Sequence, residues 1–126
     1  MADVLIVDDD PDVRSLLAYT MRDAGFSVRE AYDGASALVA LHEKPPACML
    51  LDVMMPGIDG FGVLAAMRED DVAPSTKVVV LTCKADGPSL TRAWELGADD
   101  YLTKPCDPLV IALKVAELIE GIPAHH

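Results

Sequence analysis

Apolar runs of strand length alternate with helical patterns five times along the chain, and this alternation constrains the fold more than any other feature. Val4 to Val7 is continuously apolar, as a strand buried on both faces is expected to be. A helix follows from about Pro11: Asp10 can cap it, proline suits its first turn, and Val13, Leu16, Leu17, Thr20 and Met21 recur at helical spacing until Gly25. Phe26 to Ala31 is the second strand, and Asp33-Gly34 turns into a helix carrying Ala37, Leu38 and Leu41 that Pro45-Pro46 breaks. Cys48 to Leu51 is the third strand and ends at Asp52; a Pro56-Gly57 and Asp59-Gly60 loop then leads to a helix with Phe61, Leu64, Ala65 and Met67. Lys77 to Leu81 is the most β-branched run and ends at Thr82, with a helix from about Pro88 to Leu96 behind it. Tyr101 to Lys104 is the fifth strand, closed by Pro105, and a last helix runs from Asp107-Pro108 to Gly121.

Strict alternation with short loops predicts an α/β fold, a parallel sheet covered by helices on both faces. The 126 residues suit one domain over 1–122, and the 123–126 tail with His125 and His126 reads as a possible tag remnant. The formal net charge of −11 argues against direct nucleic-acid binding, which needs clustered Lys and Arg, but suits a cation or a basic partner. No apolar run approaches the roughly 20 residues of a membrane span, so no membrane insertion is expected. The Val4–Val7 run stops at three aspartates, unlike a signal peptide. Three cysteines without CxxC or zinc spacing suggest reduced thiols and a cytoplasmic setting.

In sheets of this kind the working crevice lies at the carboxyl ends of the strands. The residues there are Asp8 and Asp9, then Asp52, Thr82 and Lys104, each polar and each following an apolar strand. Carboxylates converging on one edge raise one another's pKa unless a cation sits between them. Oxygen ligands without Cys or His favour a hard cation, and few protein ligands plus waters suit Mg2+. Lys104 adds a positive charge and Thr82 a hydroxyl, which together complement a phosphoryl group on Asp52, an aspartate nucleophile.

Four segments carry a family resemblance that spans essentially the whole chain: Leu5-Ile-Val-Asp-Asp9, Leu51-Asp-Val-Met-Met-Pro-Gly57, Val79-Val-Leu-Thr82 and Gly97-Ala-Asp-Asp-Tyr-Leu-Thr-Lys-Pro105. In this order and spacing they resemble the response-regulator receiver domains of two-component signalling. The resemblance implies a flavodoxin-like, doubly wound five-stranded sheet of order 2-1-3-4-5. It implies a signalling switch rather than an enzyme with a separate substrate. Asp52 would be the phosphoacceptor, Asp8, Asp9 and the Met54 carbonyl would position Mg2+ and its waters, and Thr82 and Lys104 would contact the phosphoryl oxygens. Tyr101 would be the aromatic switch that follows Thr82, and Lys104-Pro105 would be cis. The donor would be a phosphohistidine on a sensor histidine kinase or phosphotransfer protein, and the output a protein effector or self-dimer. Met54 and Lys84 sit where family members vary water's access, and an apolar Met54 implies slow hydrolysis.

The competing enzyme reading is a Mg2+-dependent phosphate-ester hydrolase, whose nucleophile follows the first strand with a second Asp two residues on. Asp8 and Asp10 have that spacing, but no cap-sized insertion exists. Flavin binding would need a Ser/Thr/Gly-rich loop where Asp8-Asp9-Asp10 would repel phosphate. Asp59, Asp99 and Asp100 read as loop or surface charges, and Ala85 to Pro88 as a mobile stretch. Cys48 reads as core filler. Cys83 stands where the family usually has Ala, Gly or Ser, and its thiol and that of Cys106 end adjacent strands. Leu90 and Trp94, four residues apart, share a helical side that with Tyr101 forms the expected output face.

Overall fold

The computed structural model describes residues 2–83 and 86–121, and the expected 123–126 tail lies outside them, as do Lys84 and Ala85. Strands β1 (Asp3–Val7), β2 (Ser27–Ala31), β3 (Cys48–Asp52), β4 (Lys77–Thr82) and β5 (Asp100–Thr103) alternate with helices α1 (Pro11–Asp23), α2 (Gly34–Glu43), α3 (Gly60–Glu69), α4 (Gly87–Glu95) and α5 (Pro108–Glu120). The strands form one parallel sheet in the order β2-β1-β3-β4-β5, as the resemblance implied. No helix among the described residues is long and apolar enough to cross a membrane.

Period-two alternation along the central strands builds two cores. Leu5, Val7, Met49, Leu51, Val78 and Val80 point to the face covered by α2, α3 and α4. Val4, Ile6, Cys48, Leu50, Val79 and Leu81 point to the face covered by α1 and α5. Burial on both faces is why β1, β3 and β4 carry no polar residue before their carboxyl ends apart from Asp3 and Lys77 at their starts. Each of these Val, Leu and Ile side chains contributes about 1.5–3 kcal/mol by leaving water.

Every helix among the described residues begins at an aspartate cap. Asp10, Asp33, Asp59, Asp86 and Asp107 each accept backbone N–H groups from the first turn of α1 to α5 in turn. In a parallel α/β fold those helix starts follow the carboxyl ends of the strands, so the caps ring the same edge as the crevice. Asp59 is therefore a cap rather than a loop charge. Asp99 also has a structural partner: its Oδ2 accepts the Val78 N–H at 2.8 Å and ties the start of β4 to the α4–β5 connection. Asp100 opens β5 and pairs with Lys114 of α5 at 3.0 Å. In the stretch expected to be mobile, Asp86 caps α4 and Gly87 and Pro88 form its first turn, while Ala85 lies outside the described residues.

Gly60, the first residue of α3, sets how closely that helix meets β3. Its N–H donates to the Val53 carbonyl at 3.0 Å. A methyl group at its Cα would lie 2.6 Å from the Asp52 carbonyl oxygen and 2.8 Å from the Val53 Cα. These nearest atoms are all backbone, so no flexible side-chain end is there to yield. Gly60→Ala should therefore destabilise the domain by about 1–3 kcal/mol, the usual range for overpacking. Gly87→Ala, where an added Cβ meets nothing within 4 Å, should be neutral or stabilising in the same urea denaturation series. Equal midpoints for the two variants would contradict this packing.

Candidate functional site

Strand register assembles the polar crevice. Val7 pairs with Leu51, which sets Asp8 beside Asp52 at neighbouring strand ends. Asp52 pairs with Leu81, so Thr82 begins one residue beyond it, and Thr82 pairs with Thr103, so Lys104 follows at the next position. The Lys104 N–H donates to the Thr82 carbonyl at 2.8 Å, extending that ladder past the last strand residue. Lys104-Pro105 is a cis peptide.

From there the lysine stem reaches back across the end of β4. Its Nζ lies 2.7 Å from Asp8 Oδ2 and 3.7 Å from Asp52 Oδ2. Asp8 is buried, and its Oδ1 accepts the Asp10 N–H at 2.9 Å. Asp52 is only 6% exposed, and its Oδ1 accepts the Met54 N–H at 3.2 Å. Asp9 is exposed on the same turn. One carboxylate oxygen from each of Asp8, Asp9 and Asp52 lies within 4.8 Å of the other two.

Electrostatics follow from that crowding. Burial is the largest influence on Asp52 and raises its pKa above the ordinary carboxylate value; Lys104 and the Met54 N–H pull it down, and Asp8 and Asp9 push it up, leaving it raised. Burial also works against the Lys104 ammonium. The Asp8 hydrogen bond and the charges of Asp52 and Asp8 outweigh it and hold the lysine above its usual value. One ammonium thus faces more carboxylate charge than it balances. The donor set is oxygen alone, without thiolate or imidazole, which is the chemistry of a hard divalent cation. Asp8, Asp9 and Asp52 fit Mg2+ on these grounds.

Thr82 is buried at the end of β4. The Met54 side chain is exposed. Tyr101 is half-buried against the α2-α3-α4 core, and burial followed by the Asp86 charge raises its pKa. On α4, Leu90 and Trp94 are both exposed, Trp94 by 46%, while Ala93 faces the core. Arg92 of the same helix lies over the Phe61 ring, 4.6 Å from its centroid, which links α4 to the start of α3. Cys83 and Cys106 line one apolar cavity of about 370 Å3 with Lys104 and Leu16, and both are free thiols. Cys48 is buried, and burial followed by the Asp99 charge pushes its thiol up to about 12.

Sequence reasoning missed Arg14, whose Nη1 donates to the Asp8 carbonyl at 2.9 Å. On a helix it reads as a solvated charge; only the packing of α1 onto the first loop gives it a partner six residues back. It also missed Gly60, because a Gly at a helix start ordinarily signals a turn rather than close approach to a neighbouring strand.

The match to known proteins is consistent along the chain. The family model for the response regulator receiver domain matches residues 4–116. The DNA-binding response regulator MtrA of Mycolicibacterium smegmatis is 38% identical over 112 residues, covering 89% of this chain and 48% of that protein. The chain spans about half the length of the curated relatives it matches. Among solved structures, the Vibrio cholerae chemotaxis protein CheY4 superposes with a TM-score of 0.87 at 30% identity, covering 94% of this chain and 98% of that one. The BeF3-activated receiver domain of DrrB from Thermotoga maritima superposes with a TM-score of 0.86 at 29% identity, covering 95% and 98%. These relatives favour a signalling receiver over a phosphate-ester hydrolase, and the chain belongs to the response-regulator receiver family.

Proposed function

We propose that Asp52 is the phosphoacceptor of this receiver, with residues 1–122 as the working domain, and that its phosphorylation depends on Mg2+. The observation that carries the reading is the convergence of Asp8, Asp9 and Asp52 within 4.8 Å, with Lys104 Nζ against Asp8 and Asp52. Asp8, Asp9, Asp52 and the Met54 carbonyl would hold the cation. Bound Mg2+ supplies the positive charge that offsets the phosphoryl oxygens. A carboxylate oxygen of Asp52 attacks phosphorus in line with the leaving imidazole of a phosphohistidine, so a P–O bond forms as the P–N bond breaks. Lys104 contributes the second positive charge and Thr82 a hydroxyl donor to the transferred group. The acyl phosphate is hydrolysed in turn by water, and the domain promotes no reaction but these two.

Upstream, the partner is a sensor histidine kinase or a phosphotransfer protein in the cytosol. Downstream, the phosphate draws Thr82 toward it, Tyr101 follows, and the face made by Leu90, Trp94 and Tyr101 meets a protein effector or a second copy of the chain.

Asp52→Asn tests both the chemistry and the electrostatics. Acetyl phosphate with Mg2+ should label the wild type with a hydroxylamine-sensitive phosphate and leave the variant unlabelled; undiminished labelling would overturn the assignment. Because the folded-state pKa of Asp52 is raised, its favourable contribution is complete below the ordinary carboxylate value and is lost as pH rises through the folded pKa. Without divalent cations the variant should therefore be the more stable protein at neutral pH, with the gap narrowing in acid. Mg2+ at 100 times its Kd should add about 2.7 kcal/mol to the wild type and far less to the variant. A gap that ignores pH and Mg2+ would contradict the crowded-carboxylate picture.

The output face has its own optical probe. Trp94 is the only tryptophan in the chain and is exposed on α4, so beryllofluoride with Mg2+ should change its emission. The change should be absent in Asp52→Asn. An unaltered spectrum in the activated wild type would argue against α4 as part of that face.

A further inference from the structure

We infer that Arg14 is a positioning residue for the cation site, fixing the peptide that joins Asp8 to Asp9. The inference rests on the reading of those two residues as cation ligands. Asp8 is held at every polar group it has: its N–H donates to the Ala31 carbonyl at 3.2 Å, Oδ1 accepts from Asp10, Oδ2 from Lys104, and its carbonyl oxygen accepts Arg14 Nη1 at 2.9 Å. Only the last of these contacts acts on the peptide plane between the two carboxylates. Turning that plane would swing Asp9 away from Asp8 and Asp52.

The guanidinium is itself clamped. Arg14 Nε lies 3.5 Å from Glu30 Oε1 on β2, and Arg22 Nη2 lies 4.0 Å from the other oxygen of Glu30. Arg14 therefore spans from the sheet's edge strand to the first loop with two nitrogens pointing in different directions. A planar guanidinium can hold both contacts at once; a lysine ammonium on one stem does not reproduce that fork. Outer-shell groups of this kind commonly change metal affinity by about 10–100-fold when removed.

The sign of the effect separates positioning from charge. Arg14→Gln removes a positive charge beside an acidic pocket, so an electrostatic role alone predicts tighter Mg2+ binding. Positioning predicts weaker binding. Calorimetric titration of Mg2+ into the wild type, Arg14→Gln and Arg14→Lys should give dissociation constants about tenfold higher for the glutamine variant and raised also for the lysine variant, despite its retained charge. Labelling by acetyl phosphate should return to within about twofold of wild type when Mg2+ is saturating, because the nucleophile and Lys104 are untouched. Equal or tighter Mg2+ binding in Arg14→Gln, wild-type affinity in Arg14→Lys, or a labelling rate that stays low at saturation would each overturn the inference. A wild type that binds no Mg2+ would instead overturn the proposed function beneath it.

Discussion

The contact between Lys104 and the carboxylates of Asp8 and Asp52 is the constraint around which the rest of the domain is arranged. Three acidic side chains at one sheet edge repel one another, and a buried one costs more than an exposed one. The lysine directly follows β5, two strands away from β3 in the sheet, and has to cross the end of β4 to reach them. Parallel register makes this possible by bringing Asp8, Asp52, Thr82 and Lys104 to successive positions along one edge. The compensation is incomplete, and Asp52 keeps a raised pKa. A fully neutralised pocket would have no use for a divalent cation; this one retains an unbalanced negative charge where a hard cation fits.

The helix caps add to that polarity. Five aspartates begin the five helices, all at the carboxyl edge of the sheet. Each is stabilised by the backbone N–H groups it accepts and by the positive end of its helix. Five of the chain's 21 acidic side chains therefore have a structural role, even though they surround the crevice. Net charge alone does not separate the cap at Asp10 from its neighbours; burial and contact with Lys104 set Asp8 apart, and a carboxylate oxygen within 4.8 Å of those of Asp8 and Asp52 sets Asp9 apart.

The parts of the fold legible in the sequence are those set by local pattern. Alternation of apolar runs with helical spacing located the five strands and five helices of the described residues, displaced by a residue or so at the ends of several elements, β1, β2, β5 and α4 among them. The polar residues ending β1, β3, β4 and β5 were legible for the same reason, since each interrupts an apolar run. The sheet order came from the family resemblance. The roles of Asp99 and Asp100 were not legible, because Asp99 caps a strand start 21 residues earlier and Asp100 pairs with a helix 14 residues later. Arg14 and Gly60 escaped for a related reason: their partners belong to other elements, and one-dimensional spacing carries no record of which backbone lies against them.

Reductive trapping of the phosphorylated protein reads the site at single-residue level. Borohydride converts an aspartyl phosphate to homoserine, and peptide mass spectrometry then locates it in the chain. After treatment with a phosphodonor and Mg2+, homoserine should appear at position 52 and nowhere else, and chelation of the cation should abolish it. Homoserine at Asp8, Asp9 or another carboxylate, or undiminished trapping at position 52 without the cation, would contradict a Mg2+-dependent switch centred on Asp52.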